Sequence, residues 1–404
     1  MQILIAVILT LCMVFAVCPG CLASAPDYWT AEQRETAESI RMIDDKGLLY
    51  EINYVGDYHL DEVIAAGTYP NDVSFANIQK VILPNTTNPV PHNVSVGGCS
   101  SFAAVSAEGH PILCRNYDWF TGNSASIVIH TAPSDGYRVL GVSDPSYYGM
   151  HLGEDLSDEI RENLLYSPFC ILEGVNEKGL SAGLMMLHGN PMCQDTGKQQ
   201  LVSSMVIRVI LDRAATVDEA IEVMKQYDVI SGSYDQDVSF HWCVADLSGR
   251  RAVLEYVNNE LVVNECPLDV HFDEKTGASD VVWLKEPADY ILSTNFYVTE
   301  GAQDPKILGD NGYWRYETLC NKLKENPHPT KEEAMGYLDA IHYGLRDKDT
   351  YVGLLAEGTD PDDPANWAWI SIDSSVYDLQ EKTLNICVQE DFSKAYTFSM
   401  EYQK

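Results

Sequence analysis

One cysteine of this sequence stands where a thiol nucleophile could be generated. Cys99 directly precedes the segment 100–105, whose residue pattern predicts a β-strand, and 112–117 predicts a second strand after a turn-rich connection. Arg115 and Asp118 fall on the second strand and at its exit. Because a hairpin of this length brings its two ends together, we expect an arginine and a carboxylate to lie beside the sulfur.

These residue types suggest a specific chemistry. An arginine can lower the thiol pKa from about 8.5, and a carboxylate can hold a nearby amine. Gly97 and Gly98 leave the peptide bond before Cys99 uncrowded and free to adopt strained backbone angles. The sulfur could attack the Gly98 carbonyl, and hydrolysis would make Cys99 a new amino terminus whose amine serves as general base for its own thiol. On the residues alone, an ordinary buried cysteine and a plain ion pair of Arg115 with Asp118 remain open.

The charge balance excludes one class of partner. The 404 residues include 26 Lys+Arg and 60 Asp+Glu, which gives a formal net charge of −34. Contact with phosphate needs a basic face, so we expect no nucleic-acid partner. A hydrophobic content of 46% allows a large core. An anionic ligand would need local arginines to bind it, because the overall surface is acidic. The sequence leaves both a monomer and a homo-oligomer open.

The amino terminus predicts export. Residues 1–25 contain no Lys, Arg, Asp or Glu, and the apolar run 3–17 has the length of a signal-peptide core rather than of a bilayer span. We expect a signal peptide over 1–23, cleaved after Ala23 or Ala25, and a secreted or cell-surface location. A lipid anchor at Cys21 and an uncleaved anchor are the alternatives.

Cysteine use indicates neither a disulfide framework nor a metal site. Eight of the eleven cysteines remain after the predicted signal peptide, without a Cys-x-x-Cys pair. Most lie in apolar stretches and are expected to be buried small hydrophobes. No Cys or His pair has zinc-ligand spacing, so we expect no metal and no cofactor.

The remaining pattern indicates stacked sheets with helices outside. Capping-box sequences predict helix starts at Thr30, Thr216 and Thr330. The predicted helices cover 30–47, 60–66, 72–83, 202–214, 217–227 and 330–342. The predicted strands after the hairpin cover 125–131, 137–141, 240–246, 252–257, 261–263, 367–377, 383–388 and 395–400.

Several motifs together resemble the choloylglycine hydrolase superfamily of amino-terminal-nucleophile amide hydrolases, which includes bile salt hydrolases, penicillin V acylases and acid ceramidase. The first motif is Cys99 with the glycine-containing hairpin and residues 115–119, Arg-Asn-Tyr-Asp-Trp. Residues 174–180, 240–246 and 292–296 match later family motifs in the right order. The resemblance covers about residues 99–400.

The resemblance implies a fold and a set of roles. The fold is α+β, with four αββα layers and two stacked, mainly antiparallel sheets over 99–404. Cys99 resembles the nucleophile, Arg115 the arginine beside it, and Asp118 the carboxylate that positions the new amine. Asn295 resembles the asparagine whose amide donates to the oxyanion. Arg315 is the candidate for a late arginine of the site, with an exposed position on a helix as its alternative.

The sequence departs from bile salt hydrolases in two places. Met185 stands where they carry an asparagine, and Cys99 lies deep inside the chain. In the second respect the chain is more similar to acid ceramidase, whose leader is removed autocatalytically, so 24–98 is expected to be a leader. The implied function is hydrolysis of a linear non-peptide amide, of the N-acyl amino acid, bile conjugate, penicillin V or fatty amide type. An acyltransferase and an inactive exported binding protein are the alternatives.

Two other polar residues have simpler interpretations. His241 follows Cys99 at a spacing that suits papain-like peptidases. The residues around Cys99 lack the Cys-x-x-Cys-Trp pattern of those enzymes, so a packed core histidine is favoured. Asn176 precedes Gly179 and is expected to be a turn residue.

Overall fold

The computed structural model describes residues 25–89, 98–120, 124–150, 155–189, 192–232, 238–273, 275, 278–302, 312–342 and 369–403. The predicted signal peptide, the candidate anchor Cys21 and Gly97 lie outside the described residues. Among the described helices, none is long and apolar enough to cross a membrane.

A six-stranded antiparallel sheet carries the predicted hairpin. Its strand order is β16-β3-β4-β17-β18-β19. Its strands are β3 (Gly98–Val105), β4 (Pro111–Phe120), β16 (Tyr290–Ser293), β17 (Trp369–Asp378), β18 (Thr383–Val388) and β19 (Tyr396–Ser399). Because β3 and β4 are neighbours in the middle of the sheet, residues of one face of the hairpin point into the interior of the molecule.

A nine-stranded sheet has the order β1-β2-β5-β6-β7-β8-β11-β12-β13. Its strands are β1 (Arg41–Met42), β2 (Leu49–Tyr54), β5 (Ser126–Thr131), β6 (Val139–Ser143), β7 (Glu173–Asn176), β8 (Ser181–His188), β11 (Val238–Ala245), β12 (Arg251–Val257) and β13 (Glu260–Asn264). Strand β2 pairs with β5 in parallel. The predicted leader therefore contributes one end of this sheet.

Two small sheets lie beside the large ones. Strands β9 (Gln199–Val202) and β10 (Tyr227–Ile230) pair in parallel, and β14 (Leu268–Asp273) pairs antiparallel with β15 (Ala278–Trp283).

Helices cover the outer faces of both large sheets. They are α1 (Ala31–Ser39), α2 (Leu60–Ala66), α3 (Asn71–Ile82), α4 (Asp158–Asn163), α5 (Val206–Arg213), α6 (Val217–Met224), α7 (Tyr313–Glu325) and α8 (Lys331–Asp339). Strands β3 and β4 pack against β8 and β11, α5 packs on β7 and β8, and α8 packs on β4 and β17. This is the expected α+β fold of αββα layers.

The helix starts follow the predicted caps. Thr30 and Thr330 form complete capping boxes with Gln33 and Glu333. Thr216 accepts from the backbone of Glu219, whose side chain accepts from the nitrogen of Ala215 instead of closing the box.

Two helix boundaries differ most from the prediction. The first helix ends at Ser39 rather than near 47, because the next residues pair with β2 as a short strand. The predicted helix over 202–214 starts at Val206, since Val202 ends a strand and a 3₁₀ turn, Ser203–Met205, follows it.

Candidate active site

Cys99 is the second residue of β3 and is fully buried between the two large sheets. Its cross-strand partner on β4 is Tyr117, and Gly98 pairs with Asp118. The backbone nitrogen of Cys99 donates to Oδ1 of Asn295 at 3.0 Å. The bond before Cys99 and its sulfur therefore both face the interior, where other sheets and helices supply their surroundings.

Arg115 lies on β4 and reaches the sulfur of Cys99, with NH2 at 3.0 Å from Sγ. Its Nε donates to the carbonyl of Leu184 on the opposite sheet at 2.9 Å. Gly183 makes room for this crossing, because a Cβ there would lie 3.1 Å from Cδ of Arg115. The spacing argument from the hairpin therefore places this arginine correctly.

Two buried carboxyls beside Arg115 were not singled out from the sequence. Glu173 Oε2 lies 3.5 Å from NH1 of Arg115, and its other oxygen accepts from Ser375. Asp373 accepts from Ser126 at 2.6 Å, and burial together with the neighbouring Glu173 raises the pKa of Asp373 to about 8. The guanidinium is thus held between the sulfur of Cys99 and the carboxyl of Glu173, whose pKa burial raises against the opposing effect of Arg115.

Arg315 lies in the first turn of α7 and reaches the backbone of Cys99 rather than its sulfur. Its NH1 donates to the Cys99 carbonyl at 2.8 Å and to Oδ2 of Asp118 at 3.0 Å, and its NH2 donates to Oδ1 of Asn295 at 2.6 Å. With 1% exposure it is not the surface residue that the sequence left open. It joins two of the other predicted residues to the nucleophile candidate.

A glycine explains how α7 approaches so closely. Gly312 caps this helix with a φ of 83°, and a Cβ there would lie 2.7 Å from NH2 of Arg315 and 2.9 Å from the side chain of Thr294. Only glycine combines this backbone angle with that absence of a side chain. By contrast, Gly98 has no left-handed φ, and a Cβ there would make ordinary contacts at 3.5 Å. The freedom expected of Gly98 is not used in this conformation.

Asp118 is fully buried at the exit of the hairpin. It pairs with Arg315 and not with Arg115, and its Oδ1 accepts from Ser371 at 2.6 Å beside a bulge in β17. Burial raises the pKa of Asp118 to about 6 against the opposing effects of Arg315 and Ser371, and the carboxylate of Glu390 adds to the rise. The charge of Asp118 therefore changes around pH 6.

The orientation of the Asn295 amide follows from its neighbours. Two donors, the Cys99 nitrogen and Arg315, point at one end of the group, while the other end lies 2.7 Å from the carbonyl of Met186. The oxygen must face the donors and the nitrogen must face the carbonyl. In this arrangement Asn295 holds the nitrogen of Cys99, and the amide that was expected to meet an oxyanion is bonded to Met186.

The surroundings of Cys99 favour the protonated thiol in the full chain. Burial raises the pKa of Cys99 to about 11, partly opposed by Arg115 and, more weakly, Arg315. Asp118 adds to the rise. A base close to the sulfur is therefore needed before the thiol can act as a nucleophile.

The other cysteines and polar residues keep structural roles. None of the eight cysteines in the described residues forms a disulfide, and six are buried, as expected. Within the described residues there is no group of three or more His, Cys, Asp or Glu side chains suited to a metal ion.

Asn176 bonds to the backbone at Lys178 and Leu180 as a buried turn residue. His241 bonds to Glu255 and to the carbonyl of Thr294, so its ring is not the partner of a papain-like cysteine.

Comparison with known protein families gives one match. Residues 99–276 match the family model described as linear amide C-N hydrolases, choloylglycine hydrolase family. The matched residues, which make up less than half of the chain, are similar to this family. The matched region starts at Cys99 and includes Arg115, Asp118 and Glu173. The match supports a hydrolase that acts on linear amide C-N bonds.

Two solved structures of other proteins are similar to this chain. One is a mutant of conjugated bile acid hydrolase from Clostridium perfringens, with 14% identity, a TM-score of 0.44 and coverage of 75% of this chain and 92% of that one. The other is penicillin V acylase from Agrobacterium tumefaciens, with 17% identity, a TM-score of 0.39 and coverage of 72% and 83%. The comparison with curated proteins gives no significant match.

Proposed function

We propose that the protein is an exported, self-processing cysteine amidase whose nucleophile is Cys99. The observation that carries this proposal is the surroundings of that one residue. Arg115 contacts its sulfur, while Asn295 accepts from its nitrogen and Arg315 donates to its carbonyl. A structural cysteine needs none of these contacts, whereas a nucleophile that also supplies its own amine needs all of its polar atoms held in place.

The first step would be cleavage of the bond between Gly98 and Cys99. The sulfur bonds to the Gly98 carbonyl carbon, the thiol proton passes to the Cys99 nitrogen, and the carbon–nitrogen bond breaks to leave a thioester and a free amine. Water then hydrolyses the thioester, which leaves a carboxylate on Gly98 and a free thiol. The new amine would retain Asn295 as its hydrogen-bond acceptor.

The same atoms would then hydrolyse a linear amide. The Cys99 amine takes the thiol proton, the sulfur bonds to the substrate carbonyl carbon, and the proton is returned to the departing amine product. Water releases the acid from the resulting thioester. Arg115 supports this step because its positive charge opposes the effect of burial on the thiol pKa.

The leader would stay bound after cleavage, because its described part is built into the fold. A single buried carboxylate, Glu162, accepts from the side chains of Tyr28, Trp29 and Asn88 at 2.7, 2.6 and 2.8 Å, and from Thr86. These donors come from both ends of the leader. We expect leader and hydrolase part to co-elute in gel filtration and to separate only on denaturation.

Two variants test the cleavage proposal. Cys99→Ala is expected to leave an uncut chain without amidase activity, while wild type gives a chain that starts at Cys99, as read by intact mass and amino-terminal sequencing. Cys114→Ala is the matched control, since this cysteine is also fully buried and lies on β4. A single uncut wild-type chain with the same activity as Cys99→Ala would refute the mechanism.

The acyl and amine parts of the substrate are best found with a panel scored by amine release. Bile conjugates, penicillin V, N-acyl amino acids and fatty amides represent the candidate classes. Adding a competing amine separates hydrolysis from acyl transfer, because a transferase forms a new amide. Failure of an acyl-mimicking electrophile to label Cys99 would favour an inactive binding protein.

A further inference from the structure

A further buried pair of ionisable side chains lies next to the site. His241 on β11 pairs directly with Glu255 on β12, and both side chains are fully buried. Nδ1 of His241 lies 2.8 Å from Oε1 of Glu255, and Nε2 lies 2.7 Å from the carbonyl oxygen of Thr294. Each ring nitrogen therefore faces an oxygen at hydrogen-bond distance.

Two acceptors require two hydrogens on the ring. A neutral imidazole carries a single N–H, so one of these contacts would place two lone pairs against each other. Glu255 is already occupied as an acceptor, because the nitrogens of Val298 and Thr299 donate to it at 2.8 and 3.0 Å, and the Thr299 hydroxyl at 2.6 Å. A carboxylate with this many donors is the charged form, which leaves both ring hydrogens on His241.

The pair holds one short segment of chain at both ends. His241 bonds to the carbonyl of Thr294, and Glu255 bonds to Val298 and Thr299. Asn295 lies between these contacts, directly after the residue that His241 binds. Since Asn295 bonds to the nitrogen of Cys99 at 3.0 Å, a shift of this segment would move the acceptor for that nitrogen.

We propose that His241, as a doubly protonated imidazolium, and Glu255 are positioning residues that fix Asn295 against the nitrogen of Cys99. Neither residue touches substrate in this role. The inference rests on the proposed function, because it assigns the pair to the geometry of the Cys99 amine. It replaces the interpretation of His241 as a simple core histidine.

Paired substitutions separate positioning from packing. His241→Gln can keep a donor near Thr294, whereas His241→Asn can keep one near Glu255 but loses the Thr294 contact. We expect His241→Asn to lower kcat by about 10²-fold, with KM changed far less, and His241→Gln to recover part of this loss. His130→Gln is the matched control, since His130 is a buried histidine 2.9 Å from Glu51 on the leader, away from Asn295. It should leave kcat within about twofold.

Protonation can be read without any activity assay. In wild-type protein labelled with ¹⁵N-histidine, we expect resonances from a ring with hydrogen on both nitrogens at neutral pH that are absent from His241→Gln and retained in His130→Gln. A neutral ring at position 241, or unchanged kcat in folded His241→Asn, would overturn the inference. The proposed function fails on a different result, namely wild type that stays uncut and matches Cys99→Ala in activity, whatever the histidine spectrum shows.

Discussion

Arg115 and Arg315 are both buried arginines that reach Cys99, but they reach different atoms of it. Arg115 contacts the sulfur, and Arg315 contacts the carbonyl oxygen. Each has a carboxylate partner, Glu173 for the first and Asp118 for the second. Sequence spacing suggested that Arg115 and Asp118 would stand together at the sulfur, and the structure divides them between two separate pairs.

This difference separates two tasks. The Arg115 side of the site acts on the charge of the sulfur, because this arginine is the largest of the influences that lower the Cys99 pKa. The Arg315 side holds the backbone of Cys99 together with Asp118 and Asn295. We therefore expect changes on the first side to alter thiol chemistry and changes on the second to alter geometry and self-cleavage.

The largest expected effect comes from removing each arginine. Arg115→Met should lower kcat/KM by about 10³-fold, since the thiol loses the cation next to it, and Arg315→Met by about 10²-fold. The two variants are compared by the pH dependence of Cys99 alkylation. Arg115→Met should move the alkylation midpoint to higher pH by more than Arg315→Met does.

The control for both variants is Arg208→Met. Arg208 is also fully buried and pairs with Asp212 at 2.7 Å on α5, outside the site. Breaking a buried pair costs about 3–5 kcal/mol of folding stability, so all three variants should lose thermal stability. Equal alkylation midpoints for Arg115→Met and Arg315→Met would contradict the division of tasks.

A smaller effect is expected from the two carboxyls behind Arg115. Glu173→Gln removes the charge that faces the guanidinium and should reduce kcat by about tenfold, as loss of a supporting contact commonly does. Asp373→Asn should leave kcat within about twofold at pH 7, because a pKa of about 8 keeps Asp373 mostly protonated.

The raised pKa of Asp373 also predicts the direction in which folding stability changes with pH. The folded pKa of Asp373 lies above its ordinary value of 3.8, so the folded state binds more protons between about pH 4 and 8. Wild type should lose stability as the pH rises through this window, and Asp373→Asn should lose less. Thermal unfolding at pH 5 and pH 8 measures this loss of stability. An equal loss in wild type and in Asp373→Asn would show that Asp373 does not cause the pH dependence.

The smallest expected effect is a pair of opposite shifts on the Arg315 side. Activity should fall as the pH drops and Asp118 is protonated, with a midpoint at or below about 6, because the freed Cys99 ammonium would favour the carboxylate. Ser371→Ala removes a hydrogen bond that lowers the pKa of Asp118 and should move the acidic limb up. Glu390→Gln removes a charge that raises it and should move the limb down.

The size of these shifts follows from ordinary hydrogen-bond energies. A net contribution of about 1 kcal/mol corresponds to somewhat less than one pH unit. The pH profile of kcat/KM measures both variants against wild type. Shifts in the same direction would show that the acidic limb does not report on Asp118.

Part of this site could be predicted from short-range patterns. The hairpin and the position of Arg115 beside the sulfur follow from a spacing within one supersecondary unit, and the αββα layers followed from the family resemblance. Glu173 was missed, although an acidic residue inside the apolar run 169–175 is a usable signal for a buried charge. The pairing of Asp118 with Arg315 could not be predicted, since almost 200 residues separate them.

The sequence by itself determined the local elements, because strand alternation, turn residues and helix caps act between near neighbours. It also carried the resemblance to a family, since Cys99 and residues 115–119 lie within one hairpin. Only the tertiary structure decided which arginine meets the sulfur and which meets the backbone, and that the predicted leader contributes strands to a nine-stranded sheet. These outcomes depend on close approaches between distant segments, such as the one that Gly312 permits, and burial then sets the charges of the groups that meet there.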